Sequence, residues 1–168
     1  QENKGKTAAV RTYQDLLKNQ HDEALFQYYT TAQLVKVNCT TKAQQNIGEA
    51  GIIAFFNPSP DSQYLMVQFT TPPFSYTVPY SRFASKVMIW DMNGQVVQTV
   101  SERPVLDAIP QGFGAVRKGA RHFSWRPDHP AQLCWSEALD GGDPKKEVAF
   151  RDQLYTLTAP FDETPQAS

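Results

Sequence analysis

The stretch "KVMIWDMNGQVVQTV", residues 86–100, sets two runs of β-branched and aromatic residues on either side of Met92-Asn93-Gly94. Asn-Gly at the tip of two such runs is the strongest short-range signal for a β-hairpin, because both central positions of the tight turn need φ > 0. It predicts that "KVMIWD" and "QVVQTV" are antiparallel neighbours. Working outward, "QLVKVNC", "GIIAFF" and "QYLMVQF" carry the same period of two and the same composition, which reads as further strands. "FFNPSPDSQYLMV" reads as strand, Pro-rich turn, strand, with Asp61 placed to close the turn through its side chain.

That turn has a second copy. Ser59-Pro60-Asp61 precedes the apolar Leu65-Met66-Val67, and Arg126-Pro127-Asp128 precedes Leu133-Cys134-Trp135, a weak internal repeat. Grouped by strand, residues 33–47 give two, residues 51–100 give a complete set of four, and residues 120–158 give three more. Repeated four-stranded antiparallel sheets are the pattern of β-propeller blades. The fold class expected is therefore mainly β, an incomplete β-propeller of about two blades. Four blades make about the smallest closed ring, so periodicity alone leaves a β-sandwich as the other solution.

Ahead of the strands, "TYQDLLKNQHDEALFQYYTTAQ" repeats apolar residues at three- and four-residue spacing through Tyr13, Leu16, Leu17, Ala24, Leu25, Tyr28 and Tyr29. This predicts a helical insertion over residues 12–30. Thr12 with Asp15 would cap its start, and Asp22 would cap a second helix if "KNQH" breaks the first.

A chain of 168 residues, 40% hydrophobic, suffices for one domain with a core. Sixteen Lys and Arg against seventeen Asp and Glu leave a net charge of −1, which offers no general field for nucleic acid or an anionic membrane. No apolar run approaches the roughly 18 residues of a membrane span, and the polar start "QENKGKT" is no signal peptide. Cys39 and Cys134 spell no Cys-x-x-Cys pair and read as two buried free thiols.

The chemistry-bearing motifs are mostly missing. There is no Gly-x-Ser-x-Gly, hence no nucleophile elbow. His21, His122 and His129 lack metal-ligand spacing, and Gly112-Phe113-Gly114 reads as a connector, not a dinucleotide loop. No cofactor or metal is expected. In "FSWRPDHPAQLCWSEALDGGD", residues 123–143, Asp128 and His129 invite an acid–base reading. However, Pro127 and Pro130 bracket them as a surface turn, and Trp125 and Trp135 read as packed strand residues. The remaining signal is cationic: Arg117, Lys118, Arg121 and Arg126 lie within ten residues, and Arg82 follows a Pro-rich loop. Arginine suits carboxylate recognition; the alternative is ion pairing with Asp128, Asp140, Asp143 and Glu147.

"VRTYQDLLKNQHDEALFQYYTTAQLV", "VPYSRFASKVMIWDMNGQVV", "VRKGARHFSWRPDHPAQLCWSEALDGGD" and "VAFRDQLYTL" together resemble the propeller region of glutamyl endopeptidase-type serine peptidases of the prolyl oligopeptidase family, whose bacterial members are often called dipeptidyl aminopeptidase-related. The resemblance covers roughly residues 8–160. It implies an enzyme with a propeller over a C-terminal α/β-hydrolase domain that carries the Ser, Asp and His of the triad. None of those has a counterpart here, so the chain alone is expected not to be an enzyme. It is expected to be a middle piece of the propeller, walling the chamber and gating peptides, in a protein that is periplasmic or secreted. Arg82, Arg117 and Arg121 become substrate-facing candidates, given the Glu preference of the relatives. The expected partners are the hydrolase domain and peptide substrates, with no nucleic acid and no membrane. Uncovered edge strands add an expected edge-to-edge dimer. A free-standing β-rich binding or scaffold domain is the alternative.

Overall fold

The computed structural model describes residues 8–9, 13–109 and 113–168. In chain order the elements are β1 (Ala8–Ala9), α1 (Gln20–Thr30), β2 (Ala32–Val37), β3 (Gln44–Pro58), β4 (Tyr64–Thr70), a 3-10 turn at Tyr80–Arg82, β5 (Ser85–Asp91), β6 (Val96–Arg103), β7 (Ala108–Ile109), β8 (Arg121–Trp125), β9 (Gln132–Ala138), β10 (Asp152–Thr158) and β11 (Gln166–Ala167). Strands β2 to β6 form a five-stranded sheet in sequence order and β8 to β11 a four-stranded one, while β1 pairs with β7. Every pairing is antiparallel. The mainly β class is as the sequence implies.

The Asn-Gly hairpin is β5–β6, paired from Ser85↔Arg103 to Trp90↔Val96 with register slips between Val87 and Met88 and between Ile89 and Trp90. Its tip is tied by Asp91, whose carboxylate accepts from the backbone N–H groups of Asn93 at 2.8 Å and Gln95 at 2.9 Å. The Gln95 bond is the largest of the influences that hold the Asp91 carboxyl below its usual range. Gly94 supplies the left-handed backbone, at φ 84°.

The division of residues 33–47 from residues 51–100 is corrected. β3 runs unbroken across that boundary for 15 residues, pairing with β2 through its first half and with β4 through its second. Between Ala32↔Gly51 and Leu34↔Ile47 the register slips, and β3 bends there. The direction of the bend follows from two contacts. Ile52 pairs with Thr70 and Thr70 with Ser85 at one end of the sheet, whereas Gly94 lies at the other end, beyond Asp91. Yet a Cβ on Gly94 would fall 1.9 Å from the Gly48 backbone nitrogen. The β2–β3 ribbon must therefore fold back across the face of β4 and β5. There it encloses Ile47, Leu65, Val67, Phe69, Met88 and Trp90. Glycine is required at the crossing, since a Cβ on Gly48 would lie 2.1 Å from the Trp90 ring. A ribbon laid on its own sheet thus replaces the separate pair of strands expected from the sequence.

The opposite face packs on the second sheet. Met66, Val87 and Ile89 meet Trp125, Leu133, Trp135, Leu157 and Phe161, each fully buried chain of this kind contributing about 1.5–3 kcal/mol. The two repeated turns sit side by side. Ser59 N–H donates to Tyr64 O and Arg126 N–H to Gln132 O, and Asp61 N–H donates to Pro130 O across the gap at 3.0 Å. Trp125 Nε1 adds a bond to Asn57 O. The three strands expected over residues 120–158 are β8, β9 and β10; beyond that range the two-residue β11 adds a fourth to the sheet, too short to leave a periodic signal.

Only residues 20–30 of the expected helical insertion are helical. Asp15 has φ 57° and caps nothing there; Thr12 lies outside the described residues. The cap is Asn19, whose side chain accepts from Asp22 N–H, an arrangement worth about 1 kcal/mol. Asp22 instead accepts from Lys18 N–H. The predicted apolar face also shifts. Tyr28 and Tyr29 are about three-quarters exposed, at 77% and 76%, and it is Phe26 that packs, against Phe74, Tyr80 and Phe83. No helix among the described residues is long and apolar enough to cross a membrane.

Candidate functional site

At the start of β5 and end of β6 the intersheet core gives way to polar groups. Ser85 and Thr70, both buried, face each other across β4 and β5, and Arg103 stands opposite Ser85 on β6. The Arg103 guanidinium donates through Nε and Nη2 to Ser85 Oγ at 3.0 and 2.6 Å, while its Nη1 is buried without a partner. Burial, and then repulsion from Arg117, push the Arg103 pKa down to about 10. Arg117 is itself pushed down by burial and then by Arg121.

Arg121 opens β8 and is 5% exposed. It pairs with the Asp152 carboxylate through Nη2, and its Nε and Nη1 are buried and unpartnered. A buried donor left unpaired costs about 1–3 kcal/mol. No ion pair involves Arg103 or Arg117 among the described residues. A cleft of about 480 Å³ opens beside Arg103, lined also by Thr71, Ser85 and Lys86.

Arg117 is positioned by the Gly-Gly turn that follows β9. The buried Asp140 carboxylate accepts from Gly142 N–H at 2.7 Å and from Arg151 Nε at 3.0 Å. Gly142 O then accepts from Val116 N–H, and Arg151 reaches Gly114 O. A Cβ on Gly142 would meet Val116 O at 2.0 Å, so only glycine lets the loop approach this closely.

Among the residues singled out by sequence, Arg117 and Arg121 are thus brought together, and Arg82 is not joined to them. Half-buried on its 3-10 turn, Arg82 lies with Cζ 5.6 Å from the Tyr13 ring centroid, within cation–π range. Arg103 was missed. In "SERP" it reads as a polar strand end, and nothing local marks it. Of the expected ion pairs, Arg126 with Asp128 is present, whereas Asp140 is paired by Arg151, which lies outside the cluster.

The acid–base reading of residues 128 and 129 has no structural support. His129 Nε2 is 3.6 Å from Asp128 Oδ2 on an exposed turn, and it is Arg126 that holds the Asp128 carboxyl below its usual range. Trp125 and Trp135 are buried strand residues, as expected. Both cysteines are free, but Cys39 is exposed near the β2–β3 tip rather than buried. No group of three His, Cys, Asp or Glu side chains able to hold a metal occurs among the described residues.

No family model matches the chain. No solved structure matches it either. Two curated proteins do. Over 150 residues, 89% of this chain, it is 44% identical to a probable chloroplastic glutamyl endopeptidase of Oryza sativa subsp. japonica and 40% identical to one of Arabidopsis thaliana. The chain spans 16% and 15% of the length of those relatives. Identity at this level along nearly the whole chain makes it a homologue of one stretch of the glutamyl endopeptidases, the peptidase family that its long motifs resemble.

Proposed function

We propose that this chain is a non-catalytic part of a serine peptidase, a propeller segment that walls the chamber and gates peptide access to a separate α/β-hydrolase domain. The observation that carries the reading is the identity to glutamyl endopeptidases over 89% of the chain. Two stacked antiparallel sheets with the same turn placed side by side suit a blade repeat, and the lack of a Gly-x-Ser-x-Gly suits a wall. In this reading Arg82, Arg117 and Arg121 face acidic peptides, and the intact protein is periplasmic or secreted.

The test is kinetic. In the full-length protein, Arg82→Ala and Arg117→Ala should each lower kcat/KM for acidic substrates about tenfold, the scale of one charge-assisted hydrogen bond. A small active-site probe should label the nucleophile as before. Arg121→Ala belongs in the series but also leaves Asp152 unpaired, so its fold needs checking by circular dichroism. Unchanged kinetics in all three variants would remove the arginines from the reading. Peptide turnover by residues 1–168 alone would overturn the non-catalytic role.

A further inference from the structure

Asn93-Gly94 is the one Asn-Gly pair in the sequence, and the pair that turns the hairpin is also the pair whose chemistry allows an asparagine to rearrange without an enzyme. We propose that Asn93 is a modification site latched by the β2–β3 ribbon: it converts to isoaspartate and aspartate when the ribbon lifts off the hairpin tip, and the isoaspartate form bars the ribbon from closing again. This stands apart from the function proposed above.

In the reaction the Gly94 backbone nitrogen gives up its proton and bonds to Asn93 Cγ. The bond from Cγ to Nδ2 breaks, and Nδ2 leaves as ammonia. Glycine leaves that nitrogen unobstructed, since it has no Cβ. Water then opens the cyclic imide. Addition at the backbone carbonyl sends the main chain through Cβ, giving isoaspartate, whereas addition at Cγ restores the ordinary backbone as aspartate. Only water is consumed, and nothing is oxidised or reduced.

In the folded hairpin the attacking nitrogen is spent and fixed. Gly94 N–H donates to Asp91 O at 3.0 Å, and on either side of it the Asp91 carboxylate accepts from Asn93 N–H and Gln95 N–H. Attack requires the peptide between Asn93 and Gly94 to turn toward the Asn93 side chain. A Cβ on Gly94 would lie 1.9 Å from the Gly48 nitrogen and 2.4 Å from its Cα, so the tip has no room to turn while the ribbon is down. Asn93 itself is exposed; water reaches it freely, and the ribbon rather than burial is the guard. The same crowding decides the sequel. Isoaspartate adds an atom to the main chain at a crossing where even a methyl group has no space, and aspartate sets a second carboxylate near Asp91, which repels it.

Peptide mapping by mass spectrometry tests this on the full-length protein, held at mildly alkaline pH both folded and in urea. The amide-to-acid mass gain on the peptide carrying Asn93 reads the conversion, and chromatography separates the isoaspartate and aspartate forms. Conversion should be about tenfold or more slower in the folded protein, because reaction through a local opening scales with the population of that opening. Ile47→Ala, which shaves the ribbon where it packs on the Trp90 cluster, should speed conversion in the folded state. Phe161→Ala, which loosens the second sheet instead, should speed it less. Hydrogen exchange should show the isoaspartate fraction unprotected over residues 44–49 and still protected over residues 85–91, a readout that decides the matter even where Ile47→Ala fails to fold. Equal rates folded and in urea, no conversion in urea, a larger effect of Phe161→Ala than of Ile47→Ala, or an isoaspartate fraction whose ribbon exchanges as slowly as before would each overturn the latch.

Discussion

Trp90→Ala is expected to lower the unfolding free energy by about 3–5 kcal/mol, the range for removing a large aromatic from a packed core. The indole is fully buried and lies 5.5 Å from the Phe69 ring, centroid to centroid. It is also the surface on which the β2–β3 ribbon rests, since Gly48 sits directly against it. Truncation therefore removes both transfer free energy and the support of the ribbon, in a fold whose total stability is on the order of 5–15 kcal/mol. Trp90→Phe should cost clearly less. The ring is kept, and the indole Nε1, buried without a partner, is removed together with its desolvation cost. Urea denaturation followed by circular dichroism measures both. An alanine variant within 1 kcal/mol of wild type, or a phenylalanine variant as damaged as the alanine one, would refute this account of the core.

Gly94→Ala is expected to be the more damaging of two matched glycine substitutions. Gly94 and Gly119 have nearly the same backbone, φ 84° and 86°. Both should lose about 1–2 kcal/mol from the left-handed conformation alone. Nothing lies within 4 Å of a Cβ on Gly119, whereas one on Gly94 would collide with the backbone of Gly48 and Ile47. Backbone cannot swing aside as a side-chain tip can, so Gly94→Ala should lose a further 1–3 kcal/mol, the usual range for overpacking, and loosen the ribbon. Thermal unfolding of the two variants side by side isolates the collision, and equal losses would show that the ribbon does not lie against the hairpin tip.

The hairpin tip illustrates what the sequence could and could not disclose. Asn93-Gly94 announces a turn because its φ requirement is local, and the Pro-Asp turns at Asp61 and Asp128 do so for the same reason. Gly48 falls in the gap between residues 33–47 and residues 51–100, and Gly51 at its edge, although both belong to one strand. They are there to let Trp90 and Phe69 approach the backbone, a tertiary requirement with no local trace. Phe26 was overlooked because Ala24, Leu25, Phe26, Tyr28 and Tyr29 spread over about half of the helix circumference, and only the aromatic shelf of Phe74, Tyr80 and Phe83 decides which of them is inside. At the candidate site, Arg117 and Arg121 were visible as a basic cluster. Arg103 carries no such local mark, since it is its bonds to Ser85 across the hairpin that hold it.

The ribbon folded over β4 and β5 also bears on the order in which the chain acquires its structure. Its two strands are tied by a bond from Gln33 Nε2 to Ile47 O, 14 residues apart, and it meets the sheet where Gly48 approaches Trp90 and Gly94. The bonds that dock the second sheet, Trp125 to Asn57 and Gln98 to Phe161, span 68 and 63. Longer loops cost more entropy to close, and contacts distant along the chain slow folding. The first sheet with its ribbon should then form early and the second sheet dock upon it late. In stopped-flow kinetics, shaving Ile47 should slow folding, whereas shaving Phe161 should chiefly speed unfolding, and the opposite pattern would reverse the order. A sheet that closes one face with its own chain becomes a template for its neighbour, so that assembly proceeds from one end of the stack.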